Sequence, residues 1–352
     1  MYKEWTGVDP RERNIEHVYK EATGLITPWE IAKLDLHAGP SPTKDSPGWS
    51  PPTKILVQNM NKERLANLRL LTPDVEFVSV SDDEDVTAHI EEADAINRAI
   101  RPEHLQKAKN LRWVHSRTAG VERYLFDEFI ESDVVLTNAQ GMYGPAMSEH
   151  VIGMILLFTK ALAKQHERKL KTHWGQDRSQ PVNDLAGRTM LILGLGGIGK
   201  QVAQRAAGFE MVILAVDPQD IEKPDYVRAI YPPGELDRLL PQADVVVSTV
   251  PHTKHTHRYF GKEQFDLMKP SAYFINVGRG KTVVQEELIE ALQNGSIAGA
   301  GLDVTDPEPL PADHPLWKLD NVVITPHMSG RTAESFHRGW LLFRENVRRF
   351  VA

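Results

Sequence analysis

Between Lys54 and Thr325 the chain alternates short apolar runs with stretches whose apolar positions recur at helical spacing. Runs over Ile55–Met60, Val75–Val80, Asp94–Asn97, Leu111–Ser116 and Val134–Ala139 predict five strands. Helical stretches separate them, one reaching Leu71, one over Glu84–Glu92, one opened by Pro102 and a short one after Gly120. Strands that alternate with helices form parallel sheets covered on both faces. A second series predicts seven more strands, over Thr189–Leu193, Met211–Val216, Tyr226–Tyr231, Asp244–Val250, Ala272–Val277, Gly299–Val304 and Val322–Thr325. Its helices include Gly234–Leu240, Lys262–Met268 and Val283–Asn294, the last closed by Gly295 where a left-handed cap is expected.

Between the two series a helix is expected from Pro145 to about Lys171, apolar on nearly every side over Val151–Phe158 and basic afterwards. A helix apolar all round is buried between layers, so it reads as the connector of two domains, with Trp174–Leu185 a loop beyond it. The amphipathic stretch Thr332–Phe350 begins after both sheets are complete and is expected to return to the first. The fold class is therefore α/β, a larger doubly wound parallel sheet with a smaller, flavodoxin-like α/β substrate domain discontinuous in sequence. Residues 1–53 read as an extension attached to the smaller domain, formed by 54–145 and 330–352, and 146–329 as the larger one. A helix over Pro28–Leu36 is expected in the extension. After it come Pro40, Pro42, Pro47, Pro51 and Pro52, too dense for regular structure, and the tryptophans Trp5, Trp29 and Trp49 favour an arm that packs somewhere.

Composition narrows the function. The 352 residues carry a formal charge of -7 with both signs interspersed, so no basic footprint for nucleic acid or membrane is present in the sequence. No cysteine occurs, which excludes disulfides, thiolate catalysis and cysteine-ligated metals. The N-terminus lacks the apolar core of a signal peptide and the longest apolar run is far short of a membrane span, so a cytoplasmic protein of small-molecule chemistry is expected.

The chemistry starts at Gly194-Leu195-Gly196-Gly197-Ile198-Gly199, a glycine turn between a predicted strand and a predicted helix. Gly194 permits the tight turn, Gly196 lets the backbone approach a pyrophosphate, and Gly199 lets the helix lie close to the strand. The phosphates would meet the helix N-terminus. Asp217, about 20 residues on at the end of the next strand, stands where such a fingerprint places an acid for the ribose hydroxyls. The larger domain is thus expected to be a Rossmann domain binding NAD, with Asp217 repelling the 2′-phosphate of NADP.

Ligands of open α/β sheets bind beyond the carboxyl ends of the strands. Three residues stand there: Arg279 in Asn276–Gly280, Glu308 in Asp306–Pro309, and His327 after Thr325-Pro326. Singly they read as a turn arginine, a solvated acid and a satisfied histidine. Together they suit carbonyl reduction, in which hydride addition leaves an alkoxide that needs a proton. Histidine supplies the proton, and arginine grips a carboxylate bidentately and polarises the adjacent carbonyl. Glu308 beside His327 would hold the ring's tautomer and favour its protonated form.

With these pieces in view, the chain resembles the D-isomer-specific 2-hydroxyacid dehydrogenase family, glyoxylate/hydroxypyruvate reductases included. The motifs are GLGGIG with Asp217-Pro218, STVPHTKHT at Ser248–Thr256, NVGRG at Asn276–Gly280, AGLDVTDPEPLP at Ala300–Pro311 and TPHMSG at Thr325–Gly330. SRTAGVERY and NAQGMYGPAMSEHVIGMILL extend the likeness into the first domain, over roughly residues 54 to 350. The resemblance implies Arg279, Glu308 and His327 as the catalytic set and the Ala119-Gly120 backbone on the substrate carboxylate. It also implies cofactor contacts at Val250, Pro251, Val277, Gly278, Asp303 and Gly330, besides Gly194, Gly196, Gly197, Ile198, Gly199, Asp217, Arg279 and His327. A homodimer formed mainly by the glycine-motif domains is implied too. The chain departs from the pattern in its first 53 residues and in Thr305-Asp306-Pro307, where the family is acid-rich. His252, His255 and His257 resemble metal ligands but coincide with the family's cofactor-bordering loop and lack a third fixed ligand, so no metal is expected.

The expected activity is hydride transfer between NAD(H) and a small 2-keto or D-2-hydroxy acid, with histidine as acid and base. Two other readings share the scaffold. Formate dehydrogenase releases carbon dioxide and has no alkoxide to protonate, so a retained Glu308 argues against it. A non-enzymatic dinucleotide-sensing scaffold of the corepressor type keeps the same triad.

Overall fold

The computed structural model describes residues 50–174 and 182–351. The expected helix at Pro28–Leu36, Trp5, Trp29, Trp49 and most of the proline-rich loop lie outside the described residues. The described chain divides into two compact units, one of residues 50–142 and 336–351, the other running from Tyr143 to Ser335.

The first unit holds strands β1 (Lys54–Gln58), β2 (Glu76–Val80), β3 (Ala95–Asn97), β4 (Trp113–His115) and β5 (Val135–Thr137). They pair in parallel in the order β2-β1-β3-β4-β5, the order of flavodoxin-like sheets. Helices α1 (Lys62–Leu71), α2 (Asp83–His89), α3 (Pro102–Lys107) and α4 (Asp127–Ile130) connect them. The first two start where side chains cap them: Asn61 accepts from the Arg64 N–H at 2.9 Å and Asp82 from the Asp85 N–H at 2.9 Å. Successive residues of β1 point to opposite faces, yet Ile55, Leu56 and Val57 are all fully buried. Both faces are therefore covered. Leu56 joins Val86, Ile96 and Phe129 on one side. On the other, Ile55 and Val57 meet Trp113 together with Phe343, Val347 and Phe350 of the last helix, Ala333–Val351. Phe343 stacks on Trp113 with ring centroids 6.0 Å apart, and Arg344 donates to Asn67 Oδ1 at 2.6 Å. The chain's end thus completes its first sheet, as the amphipathic pattern of that stretch requires.

The second unit holds β6 (Thr189–Leu193), β7 (Val212–Val216), β8 (Ala229–Tyr231), β9 (Val245–Ser248), β10 (Tyr273–Asn276), β11 (Gly299–Leu302) and β12 (Val322–Ile324). All pair in parallel in the order β12-β11-β10-β9-β6-β7-β8. That is a doubly wound Rossmann sheet extended by one strand, and the order in which strands are added reverses between β6 and β9. Its helices are α5 (Gly144–Thr159), α6 (Leu162–Leu170), α7 (Gly197–Ala207), α8 (Leu236–Leu239), α9 (Lys262–Leu267) and α10 (Gln285–Asn294), after which α11 is the last helix already described. Gly295 closes α10 with φ +77°, as its position predicts.

Two expectations need correction. The helix read as continuous from Pro145 to about Lys171 is two, α5 and α6, bent by 69°. The chain turns at Ala161, whose φ is +50°. Burial explains where. Val151, Ile155 and Thr159 of α5 are buried, whereas α6 has no buried residue, so packing stops holding the helix direction after Thr159. No glycine or proline marks the break. The strand expected from Tyr226 also begins later, at Ala229, because Val227 closes a turn on the Pro224 carbonyl. No single described helix is long and apolar enough to cross a membrane.

At the end of β4, His115 is 1% exposed, and its Nδ1 lies 2.8 Å from Thr137 Oγ1. Trp113 Nε1–H donates to the same oxygen at 2.8 Å, which leaves the threonine proton for a neutral ring. Burial, with the nearby Arg117 charge, pushes the His115 imidazole down to about 3. The unfolded chain, with histidine near 6.5, binds more protons between these values, so stability is full above about pH 6.5 and falls as the pH drops toward 3. His115→Asn retains an acceptor near Nδ1 without the titration. Urea unfolding at pH 7 and pH 5 is expected to show the wild type losing about 2 kcal/mol more than the variant.

Candidate active site

Every residue singled out in the larger sheet lies just past the carboxyl end of a strand. Gly194 follows β6, Asp217 follows β7, Val250 and Pro251 follow β9, Val277, Gly278 and Arg279 follow β10, Asp303 and Glu308 follow β11, and His327 follows β12. The loops touch through glycines. A Cβ on Gly278 would stand 2.5 Å from the Val250 carbonyl oxygen, and one on Gly280 would stand 1.9 Å from that of Thr305. The first contact joins the β10 and β9 loops, the second the Arg279 and Glu308 loops.

The glycine turn itself is built for close approach. Gly194 has φ +85°, and a Cβ on Gly199 would lie 2.1 Å from the Gly194 oxygen, so helix α7 can start here only on glycine. Thr249 Oγ1 donates to the Gly194 oxygen at 2.7 Å, tying the turn to the β9 loop. Gly196 and Gly197 differ, for a Cβ on either would meet nothing within 4 Å. Their bare backbone opens the N-terminus of α7 to an anion, which fits a dinucleotide pyrophosphate. Ile198 packs against the apolar layer beneath. Asp217 also braces the turn, accepting the Leu195 N–H at 2.7 Å on Oδ2 and the Gln219 N–H at 2.9 Å on Oδ1.

The His327–Glu308 pair forms between two loops. His327 Nδ1 lies 2.8 Å from Glu308 Oε2, with the side chains 51% and 38% exposed. Glu308 is held in turn by the Thr305 N–H, 3.1 Å from Oε1. Its loop is clamped by Gln285 of α10, whose Nε2 donates to the Asp306 carbonyl at 2.7 Å and whose Oε1 accepts the Asp306 N–H at 3.1 Å. Arg279, half-buried, donates from Nη1 to the Gly278 carbonyl at 2.8 Å. Asp303 is nearly inaccessible, and its carboxylate accepts from the Thr325 hydroxyl and from the Met328 and Ser329 amides. Gly330 sits against Tyr143, where a Cβ would be 2.7 Å from the ring.

Of the three loop histidines, two meet: His252 Nε2 and His257 Nδ1 are 3.1 Å apart. Among the described residues no group of three or more histidine, aspartate or glutamate side chains is arranged to hold a metal ion.

Ala119 and Gly120 belong to the first unit, in the loop after β4. The Ala119 carbonyl accepts from Asn138 Nδ2 at 2.8 Å and the Gly120 carbonyl from Thr118 Oγ1 at 2.9 Å. With the carbonyls tied back, the two N–H groups find no acceptor among the described residues.

Residues 152–329 match the family described as D-isomer specific 2-hydroxyacid dehydrogenase, NAD binding domain. The chain belongs to this family. A glyoxylate reductase of Thermofilum pendens is 34% identical over 269 residues, covering 72% of this chain and 77% of that one. Among solved structures, a D-isomer-specific 2-hydroxyacid dehydrogenase family protein of Aeromonas salmonicida superposes with a TM-score of 0.74 at 34% identity, over 85% of this chain and 96% of that one. The D-lactate dehydrogenase of Aquifex aeolicus, solved with NAD and lactic acid, gives 0.71 at 28% identity over 84% and 95%. Sequence reasoning missed Gln285, Thr325 and His150. The signal for Gln285 was a polar residue opening an amphipathic helix, and for His150 a histidine at the head of the all-apolar run.

Gly196→Val tests the cradle. Because nothing lies within 4 Å of the added carbon, the melting temperature is expected to stay near that of the wild type. NADH affinity, read by fluorescence titration, is expected to fall at least about tenfold, since the side chain occupies the phosphate approach.

Proposed function

We propose that the protein is a cytoplasmic NAD-dependent reductase of small 2-keto acids, giving D-2-hydroxy acids, with His327 as the proton donor. The observation that carries this reading is the 2.8 Å contact between His327 Nδ1 and Glu308 Oε2 at the carboxyl edge of the glycine-turn sheet. NADH, when bound, supplies the hydride that turns the ketone carbon into an alkoxide. His327 then delivers its proton from Nε2, because Glu308 holds the proton on Nδ1 and so fixes which nitrogen faces the substrate. Arg279 is assigned to grip the substrate carboxylate and polarise the neighbouring carbonyl; Ala119 and Gly120 are assigned to substrate binding through their backbone amides. Cofactor contacts are assigned to the glycine turn and the loops that carry Asp217, Val250, Pro251, Val277, Gly278, Asp303 and Gly330. The reductase activity of the Thermofilum relative and the lactate bound to the Aquifex enzyme favour glyoxylate-sized to pyruvate-sized substrates over a non-catalytic scaffold.

A homodimer belongs to the same proposal. Leu162 and Leu170 share one face of α6, eight positions apart, and both are exposed, as is Trp174 beyond them. Exposed leucines at both ends of a helix that buries no residue favour an interface, here taken to be with a second copy. Leu162→Asp with Leu170→Asp is expected to convert a dimer to a monomer in sedimentation velocity while NADH still binds. A wild-type monomer would remove this part of the proposal.

The deciding experiment is NADH oxidation against glyoxylate, hydroxypyruvate, pyruvate and phenylpyruvate. Turnover with at least one, and NADH preferred to NADPH because Asp217 repels the extra phosphate, is the expected result. His327→Ala should lower kcat by about 10² to 10⁴. Inactivity toward the whole panel would point to the scaffold instead.

A further inference from the structure

His327 sits in a backbone conformation that its residue type disfavours. Its φ is +49°, in the left-handed region, where a residue bearing Cβ stands about 1–2 kcal/mol above its ordinary conformations. Such a residue persists when its surroundings over-determine it. Here the His327 N–H donates to the Asp303 carbonyl at 2.8 Å and to the Thr325 carbonyl at 3.0 Å. The next two N–H groups, of Met328 and Ser329, converge on the Asp303 carboxylate at 2.9 and 3.0 Å. They form an anion-binding concavity of backbone amides, filled by a side chain of the same unit. Thr325 adds its hydroxyl to Asp303 Oδ1 at 2.6 Å.

A carboxylate accepts but does not donate, so the Thr325 proton points at Asp303 and the threonine oxygen is left to accept. The group it accepts from is His150 Nε2–H, 3.0 Å away, from α5. His150 Nε2 is also 3.9 Å from Asp303 Oδ1, with its side chain 22% exposed. We propose that His150 is a positioning residue for His327, acting through Thr325 and Asp303. The inference rests on the proposed role of His327 as proton donor. Each hydrogen bond in the line polarises the next. Its loss frees the Thr325 hydroxyl to rotate away from Asp303. The buried carboxylate then lacks one of its donors, and the turn that aims the His327 ring at Glu308 slackens. A sub-ångström error in such an aim is enough to slow a proton transfer, because misplacement by about 1 Å can cost two orders of magnitude in rate. An ordinary reading exists for a lone histidine on an apolar helix, that it satisfies itself against a neighbour. The Thr325–Asp303 line distinguishes this one, since it ends on the backbone of the residue assigned to catalysis.

The test compares His150→Leu, which removes the donor, with His150→Gln, whose Nε2–H reaches the same place. In the leucine variant kcat is expected to fall about tenfold or more, while KM for the keto acid and the NADH affinity change less than about threefold. The glutamine variant is expected to recover kcat to within about threefold of the wild type. In ¹⁵N-histidine NMR, with His327 identified by its loss in His327→Asn, the wild type should show a single Nδ1–H tautomer. The leucine variant should show averaging of the two tautomers, and the glutamine variant the wild-type pattern. Unchanged kcat and an unchanged His327 spectrum in His150→Leu would overturn the proposal. So would a loss of kcat that glutamine does not rescue and that follows a lowered melting temperature in both variants. If the wild type reduces none of the keto acids, the functional reading fails, and the His327 spectrum still decides whether His150 positions the ring.

Discussion

Gly278 passes so near the Val250 carbonyl that no side chain fits between them, and Gly280 does the same to Thr305. These contacts set the spacing of the loops beyond the sheet. Parallel strands place their carboxyl ends side by side, but the loops that leave them would diverge if each carried a Cβ at the crossing. Bare backbone lets neighbouring loops touch, and a touching loop cannot drift by the ångström that catalysis notices. Gly199 against Gly194 repeats the device at the turn. Gly196 and Gly197 differ, since no part of the described chain crowds them; on the proposed reading their bare backbone leaves room for the cofactor phosphates.

The buried carboxylate of Asp303 extends this logic to the last loop. An ionised group out of water is costly unless hydrogen bonds surround it, and Asp303 is surrounded by the hydroxyl of Thr325 and the amides of Met328 and Ser329. Those donors come from the segment that carries His327, so satisfying the charge and shaping the turn are one event. An apolar side chain at 303 would leave two amides and a hydroxyl unpaired and would leave the left-handed residue without its support.

Much of this was legible in the residues. Strands whose every position is apolar, such as Val245–Val247, announce a sheet covered on both faces, and the glycine turn with Asp217 announces its use. Strand ends point to Arg279, Glu308 and His327 because open sheets place their ligands there. Two kinds of information were hidden. The break between α5 and α6 carries no breaker residue and follows from where burial stops, a tertiary fact. The supports of the His327 and Glu308 loops were hidden because His150 and Thr325 are 175 residues apart and Gln285 and Asp306 are 21 apart, so no local pattern links them. Asp303 was read as a cofactor contact from its position, while its bonds to the histidine turn appear only in three dimensions.

The His327–Glu308 pair inverts the design of Asp303. Its side chains are 51% and 38% exposed, water screens their attraction, and ion pairs so placed contribute about 0–1 kcal/mol. Energy is therefore a poor reason for the geometry. What the contact does is assign protons: with Nδ1 held on the carboxylate, the exchangeable proton is confined to Nε2. On the role proposed for His327, exposure becomes a requirement, because a donor that has given up its proton must regain one from solvent before the next turnover. A buried pair would hold its charge more tightly and refill more slowly. The proposed role thus gives one turn two tasks, fixing the backbone with a charge that water cannot reach and moving the proton with a pair that water can.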